Sequence, residues 1–272
     1  MREARTAGRS APDARLRDLP RDATTLPALP SEFHATLATG LSILGVTLPP
    51  GGLEAIEAHA RLLLAWNEAI NLTAVTAPAA MASRHVLDSL AAVPLLAAGG
   101  AGGDGTVRVI DLGSGGGYPG LPLAVAMPAA RVTLVDSVGK KAAFLEAAVG
   151  ATGLGDRLRV RAARAEELAT APERWDVATA RAVGAVAELV ELALPLLRVG
   201  GRLVAWKRGE LANEMAAAGR AAASMGGSKP VVHPIAPGVP DLEGHVLVEV
   251  RKVGSTPRGY PRDPGRRRRD PW

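Results

Sequence analysis

An apolar run, an aspartate, a crowd of glycines and a second apolar run follow one another in RVIDLGSGGGYPGLPLAV, residues 108–125. A short buried strand that turns sharply into a helix opens a βαβ unit, and the same rhythm continues downstream. The pattern predicts strands at Val107–Leu112, Arg131–Asp136, Leu158–Ala162, Val177–Arg181 and Arg202–Lys207. Helices fall between them at Leu121–Ala126, Lys140–Ala151, Ala165–Thr170 and Ala185–Leu197. A helix at Leu211–Met225 and a last strand at Gly244–Val253 complete the set. Apolar strands alternating with helices form a mostly parallel sheet covered on both faces, an α/β fold. In such sheets ligands bind beyond the carboxyl ends of the strands, which makes the glycine loop the expected site.

Upstream the pattern is helical. Leu53, Ile56, Ala60, Leu63, Leu64 and Asn67 recur at helical spacing, predicting a helix to about Ala69 after the break at Pro49–Gly52. Ser31 is the expected cap of an earlier helix ending near Leu44, and a third helix is expected over Ala79–Leu96. Residues 1–30, rich in Arg, Ala, Asp and Pro without periodicity, read as a disordered extension. The expected organisation is therefore a helical layer over 31–100, a glycine-rich linker at 97–105, an α/β domain over 105–253 and a basic segment over 254–272.

Composition removes several classes. The 272 residues are 47% hydrophobic, enough for one sizeable core. Cysteine is absent, so a thiolate zinc site is excluded and no metal site is assigned. No apolar run approaches the ~18 residues of a membrane span, and a cytoplasmic, monomeric protein is expected. The net charge of +5 sits at the ends: residues 251–272 carry +6 and residues 1–30 carry +2, leaving −3 for the middle. The body is thus not a basic nucleic-acid binder as a whole.

The loop admits several ligands. A phosphate-gripping loop needs a Gly-Lys-Ser/Thr ending, which is missing. Gly115, Gly117 and Gly120 match a dinucleotide fingerprint, a weak match in a chain with 31 glycines. The third reading is the loop that holds S-adenosylmethionine, an acid followed by alternating glycines in Asp111-Leu112-Gly113-Ser114-Gly115. Asp111 is placed to accept from the ammonium of the methionine part, where a pyrophosphate would be repelled. Asp136, closing the second strand, suits both ribose hydroxyls, a device that dinucleotide sites share. Ala165-Glu166 opens the helix after the third strand, where an acceptor meets the adenine amino group. Gly113 and Gly115, rather than the fingerprint triplet, are the glycines expected to matter most.

Several stretches taken in order resemble one family. They are Trp66-Asn67 with Asn71-Leu72-Thr73, Arg84-His85 with Leu87-Asp88-Ser89-Leu90, and Asp111–Gly115 with Tyr118-Pro119-Gly120. Leu134-Val135-Asp136-Ser137, Arg164-Ala165-Glu166-Glu167, Arg181-Ala182 and Thr256–Arg262 complete the set. Over roughly 50–262 the chain resembles the bacterial 16S rRNA (guanine-N7)-methyltransferases of the RsmG family, first called glucose-inhibited division protein B. The resemblance implies a class I S-adenosylmethionine-dependent methyltransferase, Rossmann-like, with a mostly parallel seven-stranded sheet and an N-terminal helical layer. It implies 16S rRNA or a small-subunit precursor as partner, and cofactor contacts at Gly113, Tyr118, Asp136, Ala165, Glu166 and Arg181, with Gly115 and Ser137 beside them. Tyr118 stands where the family more often has phenylalanine or leucine. After Gly265 the family's proline-rich ending is replaced by Arg266–Arg269.

Guanine N7 presents a lone pair at neutral pH, so its methylation needs positioning and no general base. Arg181 and Lys207 are the candidates to orient the base or its phosphates. Arg84, His85, Lys207, Arg258 and Arg262 are candidate RNA contacts, with Tyr260 for stacking. A methyltransferase of a small molecule, an NAD-dependent oxidoreductase and a non-catalytic RNA-binding protein remain alternative readings.

Overall fold

The computed structural model describes residues 16–98 and 105–272. Helices α1 (Ser31–Leu44) and α2 (Gly52–Ile70) open the chain. The third expected helix is broken. It runs as α3 (Pro78–Met81), a π-helical turn over Ala82–Leu87, α4 (Asp88–Leu90) and α5 (Val93–Ala97). Ser83 Oγ bonds back to the carbonyls of Ala79 and Ala80 at the start of that turn, a local competition that loosens a helical ladder. The expected cap also shifts: Ser31 is already helical and Pro30 holds the cap position without a side-chain bond.

The expected disorder does not extend through residue 30. Residues 1–15 and the centre of the glycine linker lie outside the described residues, but the segment from Leu16 onward is built into the molecule. Leu16, Ala23 and Leu29 are buried. Trp66 Nε1 donates to Pro20 O at 2.7 Å, and Arg61 Nε donates to Pro27 O at 2.9 Å. Both donors come from α2, so an aperiodic stretch is ordered by the helix beneath it.

The sheet then forms from β1 (Val107–Leu112), β2 (Ala130–Asp136), β3 (Leu158–Ala162), β4 (Trp175–Arg181), β5 (Leu197–Arg208), β6 (Val231–Pro234) and β7 (His245–Arg251). Their order is β3-β2-β1-β4-β5-β7-β6. The first five strands are parallel, and β7 runs antiparallel to both β5 and β6. The helices between and after the strands are α6 (Gly120–Ala126), α7 (Gly139–Thr152), α8 (Ala165–Leu168), α9 (Val186–Ala193), α10 (Ala212–Ser224) and, near the C-terminus, α11 (Pro264–Arg269). Strand β6, mostly exposed, and α11 were not expected from the pattern.

The two-residue period of each strand divides its side chains between two cores. On β5, Leu203 and Ala205 join the cluster with α9 and α10, while Val204 and Trp206 join the cluster with the N-terminal helices. Strand β1 divides likewise, with Val107 and Val109 on one face and Ile110 and Leu112 on the other.

The glycine loop is held from both sides. Beneath it, Asp111 is fully buried, with Oδ1 accepting from Thr179 Oγ1 on β4 at 2.7 Å and Oδ2 from Gly120 N on α6 at 3.2 Å. Above it, His59 on α2 donates from Nε2 to Gly116 O at 2.7 Å. The Tyr118 ring packs against His59 and His85, at centroid distances of 4.6 and 4.7 Å. This crowding makes Gly117 and Gly120 as restrictive as the earlier glycines. A Cβ at Gly117, where φ is +88°, would meet His59 Nε2 at 2.7 Å. One at Gly120 would lie 2.4 Å from Leu134 Cδ2, whereas one at Gly115 would make only an ordinary contact with Gly113 O at 3.8 Å, so its φ of +52° alone calls for glycine.

Two outcomes follow from this packing. Gly120→Ala overfills the seat of α6 and is expected to cost ~1–3 kcal/mol in a denaturation experiment. Burial holds both His59 and His85 at a pKa of about 4, below the ordinary 6.5; Arg181 adds to the effect at His85, and the Gly116 hydrogen bond only partly opposes it at His59. Between pH 6.5 and 4 the unfolded chain binds the extra protons, so the stability these rings confer is full above that window and fades as pH falls through it. His59→Gln keeps a donor without the titration. Urea melts at pH 7.5 and pH 5 should show wild type losing about 2 kcal/mol more than this variant. Equal losses would mean that His59 is not held neutral.

Candidate active site

Two clefts open beyond the carboxyl ends of the central strands. The first, about 350 Å³, is lined by Gly113 from the glycine loop, Asp136, Ser137 and Val138 after β2, and Ala165 and Glu166 at the start of α8. Asp136 is nearly buried, and its two oxygens accept from Gly115 N at 3.0 Å and Val138 N at 2.9 Å. Two backbone donors thus fix the carboxylate while leaving lone pairs over for hydroxyl groups. Gly113 has φ of +70°, and a Cβ there would meet Val183 Cγ2 at 2.7 Å. Glycine is therefore required at the lip of the cleft by the close approach of Val183, with the Asp136 carboxylate lining the same cleft. An adenosine with its ribose at Asp136 and its base toward Ala165 and Glu166 fits this donor set.

The second cleft, about 340 Å³, is lined by Arg84, His85, Asp88, Arg181, Trp206, Lys207, Arg208 and His245, with Val75 and Ala182. Ala182 borders both clefts. Its φ of +58° is in the left-handed region, unusual for a residue with a side chain. At the floor, Asp88 is almost fully buried between Arg181 Nη1 at 2.9 Å and His245 Nδ1 at 3.0 Å. Arg181 also donates to Arg84 O at 2.9 Å, and its guanidinium lies 5.3 Å from the Tyr118 ring centroid. Trp206 Nε1 donates to Asp88 O at 2.6 Å, which ties β5 to the helical layer.

Against this geometry the expected residues separate. Gly113, Asp136, Ser137, Ala165 and Glu166 share the first cleft. Arg84, His85, Arg181 and Lys207 share the second. Arg181 thus lines the second cleft and not the first. Asp111, expected to meet a ligand ammonium, is fully buried and does not line the first cleft; its oxygens accept from Thr179 and Gly120, and burial raises its pKa. Gly115 and Tyr118 support the first cleft from behind without lining it. Lys207 is not a free cation: its Nζ lies 2.7 Å from Gly184 O and 2.7 Å from Glu214 Oε2. His85, held neutral by burial, is a stacking partner for Tyr118 rather than a charge for phosphate.

The C-terminal contacts change most. Arg262 does not face RNA. It is buried, with Nε 2.9 Å from Glu191 Oε1 and Nη2 2.7 Å from Glu191 Oε2. Burial pushes the Glu191 carboxyl up, but its hydrogen bonds from Arg262 and Trp272 outweigh this and leave it below its ordinary range. Tyr260 packs on Trp272 at 6.2 Å between centroids, whereas Arg258 is exposed. His59, His245, Asp88 as a carboxylate, and Arg208 carry roles that were not read from the sequence. Arg208 follows Lys207 directly and could have been found from the strand end. The Asp88–His245 pairing spans 157 positions and leaves no local signal.

Comparison with known proteins gives the same frame. Residues 52–237 match the family model GidB, described as rRNA small subunit methyltransferase G. Ribosomal RNA small subunit methyltransferase G of Roseiflexus castenholzii is 42% identical over 224 residues, covering 81% of this chain and 92% of that protein. The protein of the same name from Symbiobacterium thermophilum is 40% identical over 241 residues, covering 86% and 95%. The seven-stranded sheet has the architecture of a class I methyltransferase. With a family model spanning most of its length and relatives this similar, the chain belongs to the GidB family, the rRNA small subunit methyltransferases G.

Proposed function

We propose that this protein methylates N7 of a guanine in 16S rRNA, using S-adenosylmethionine as donor. The observation that carries the reading is the pair of clefts meeting at Ala182 in a chain of this family. When bound, S-adenosylmethionine supplies an electrophilic methyl group on a positively charged sulfur. The chain's own residues bind and aim. Asp136, already oriented by two backbone amides, takes the ribose hydroxyls. Gly113 gives the ligand room against the backbone, and Ala165 with Glu166 meets the adenine edge.

On the acceptor side no residue has to remove a proton, since guanine N7 reacts through its lone pair. The task is orientation in a dry, polar setting. Arg181, locked by the buried Asp88 carboxylate, orients the base or a flanking phosphate. Arg84 and Arg208 are exposed at the rim and serve the phosphates, which makes binding strongly salt-dependent. Lys207, held by Glu214, shapes the cleft. The protein acts as a monomer in the cytoplasm, on 16S rRNA or a small-subunit precursor. Among the described residues no helix is long and apolar enough to cross a membrane.

Mass spectrometry of 16S rRNA from cells with and without this protein is expected to show loss of one 7-methylguanosine; persistence of every rRNA methyl group would overturn the substrate. Asp136→Ala is expected to weaken S-adenosylhomocysteine binding at least roughly 10–100-fold in calorimetry, the scale of one lost charge-assisted hydrogen bond. Arg181→Ala should leave that affinity near wild type and lower methylation of RNA, separating the donor side from the acceptor side.

A further inference from the structure

The arginine-rich end of the chain is not a solvated tail. It forms a clasp over the outer edge of the donor cleft. Its anchor is Arg262, whose backbone N and guanidinium both bond to the buried Glu191 carboxylate. Trp272 Nε1 donates to the same carboxylate at 2.6 Å, and Arg262 lies 4.7 Å from the Trp272 ring centroid. Between them, Asp263 Oδ1 caps α11 by accepting from Arg266 N at 2.9 Å.

From this helix one arginine turns inward. Arg267 borders the donor cleft, with a side chain only 10% exposed. Its Nη1 donates to Arg262 O at 2.7 Å, and its Nη2 reaches Glu166 Oε1 at 2.5 Å. Its Nε is buried without a hydrogen bond, the nearest acid being Glu188 at 3.7 Å. Arg262 is held by Glu191 and Asp270, whereas the one side chain that Arg267 hydrogen-bonds is the acid assigned to the adenine edge, its other bond going to the Arg262 carbonyl. No described residue donates to Glu166 Oε2.

We propose that Arg267 is a positioning residue for donor recognition: it grips one oxygen of Glu166 so that the other accepts from the amino group of adenine. This rests on the donor reading above and adds to it a residue outside the stretches that carry the family resemblance. A mobile glutamate at the start of a four-residue helix would lose rotamer freedom on meeting the amino group; the ion pair removes that cost beforehand.

The test is calorimetry on the full chain with two probes, S-adenosylhomocysteine and its analogue carrying hydrogen in place of the adenine amino group. Wild type is expected to prefer the amino-bearing probe about tenfold or more. Arg267→Ala should lose about tenfold for that probe and little for the other, so the preference collapses. Arg267→Lys should restore most of it, and R267A combined with Glu166→Gln should be no worse than Glu166→Gln alone. Melting of the ligand-free protein should remain a single cooperative transition at a lowered midpoint, since Arg262 still anchors the clasp while Glu166 loses its partner. Should the alanine variant fail to fold, Arg267→Gln reads the same ratio. Unchanged binding of both probes, or an equal loss for both, overturns the proposal. A wild-type protein that binds neither probe overturns the donor reading and this inference with it, whereas a wild type that binds while its preference survives in the variants overturns only the inference.

Discussion

Everything in the two clefts depends on one buried carboxylate. Asp111 closes β1, and its oxygens bind a hydroxyl on β4 and the first amide of α6. A carboxyl group fully removed from water is expensive unless hydrogen-bonded, and here the donors come from two other elements. The three must therefore meet in one geometry. That meeting sets the height at which the chain leaves β1, and so where Gly113 and Asp136 face each other. Gly120 belongs to the same arrangement, because only a residue without a side chain lets α6 begin so close to the aspartate.

From that point the two clefts differ in charge. The first mixes signs, with Asp136 and Glu166 beside Lys141, Arg164 and Arg267. On the acceptor side cations lead, but the inner ones are tethered, Arg181 to Asp88 and Lys207 to Glu214. A tethered cation loses little further freedom when a ligand arrives, and it holds one direction. The untethered cations Arg84 and Arg208 lie at the rim, where steering a polyanion needs charge more than angle.

The sequence was most legible where physics is local. Near-continuous apolar runs, which burial on both faces demands, matched β1 in full and β2 within one residue, while the alternating LRVRA of the more exposed edge strand β3 also matched its bounds. The glycine loop and Asp136 were legible because backbone approach and an acid at a strand end leave few other uses. Long-range pairing was not legible. Arg262 and Lys207 look like any exposed cation until the fold brings Glu191 and Glu214 beside them. The brace that Asp111 makes with Thr179 and Gly120 left no local signal, because its position beside the loop is the same whichever way its carboxylate turns. Residues 16–30 lack periodicity since they are held by Trp66 and Arg61 on another element rather than by a pattern of their own.

Ala182 has a wider meaning than its size suggests. It borders both clefts from a left-handed turn at the end of β4, with Arg181 before it lining the second and Val183 after it lining the first. Beyond that shared turn, the first cleft is walled mainly by the loops after β1, β2 and β3, α9 and the C-terminal segment, and the second by the helical layer, β5 and β7. Such a molecule is modular about one turn. The acceptor cleft can be rebuilt for another target while the donor cleft stays as it is, and the shared turn keeps the two reactants within reach of each other throughout.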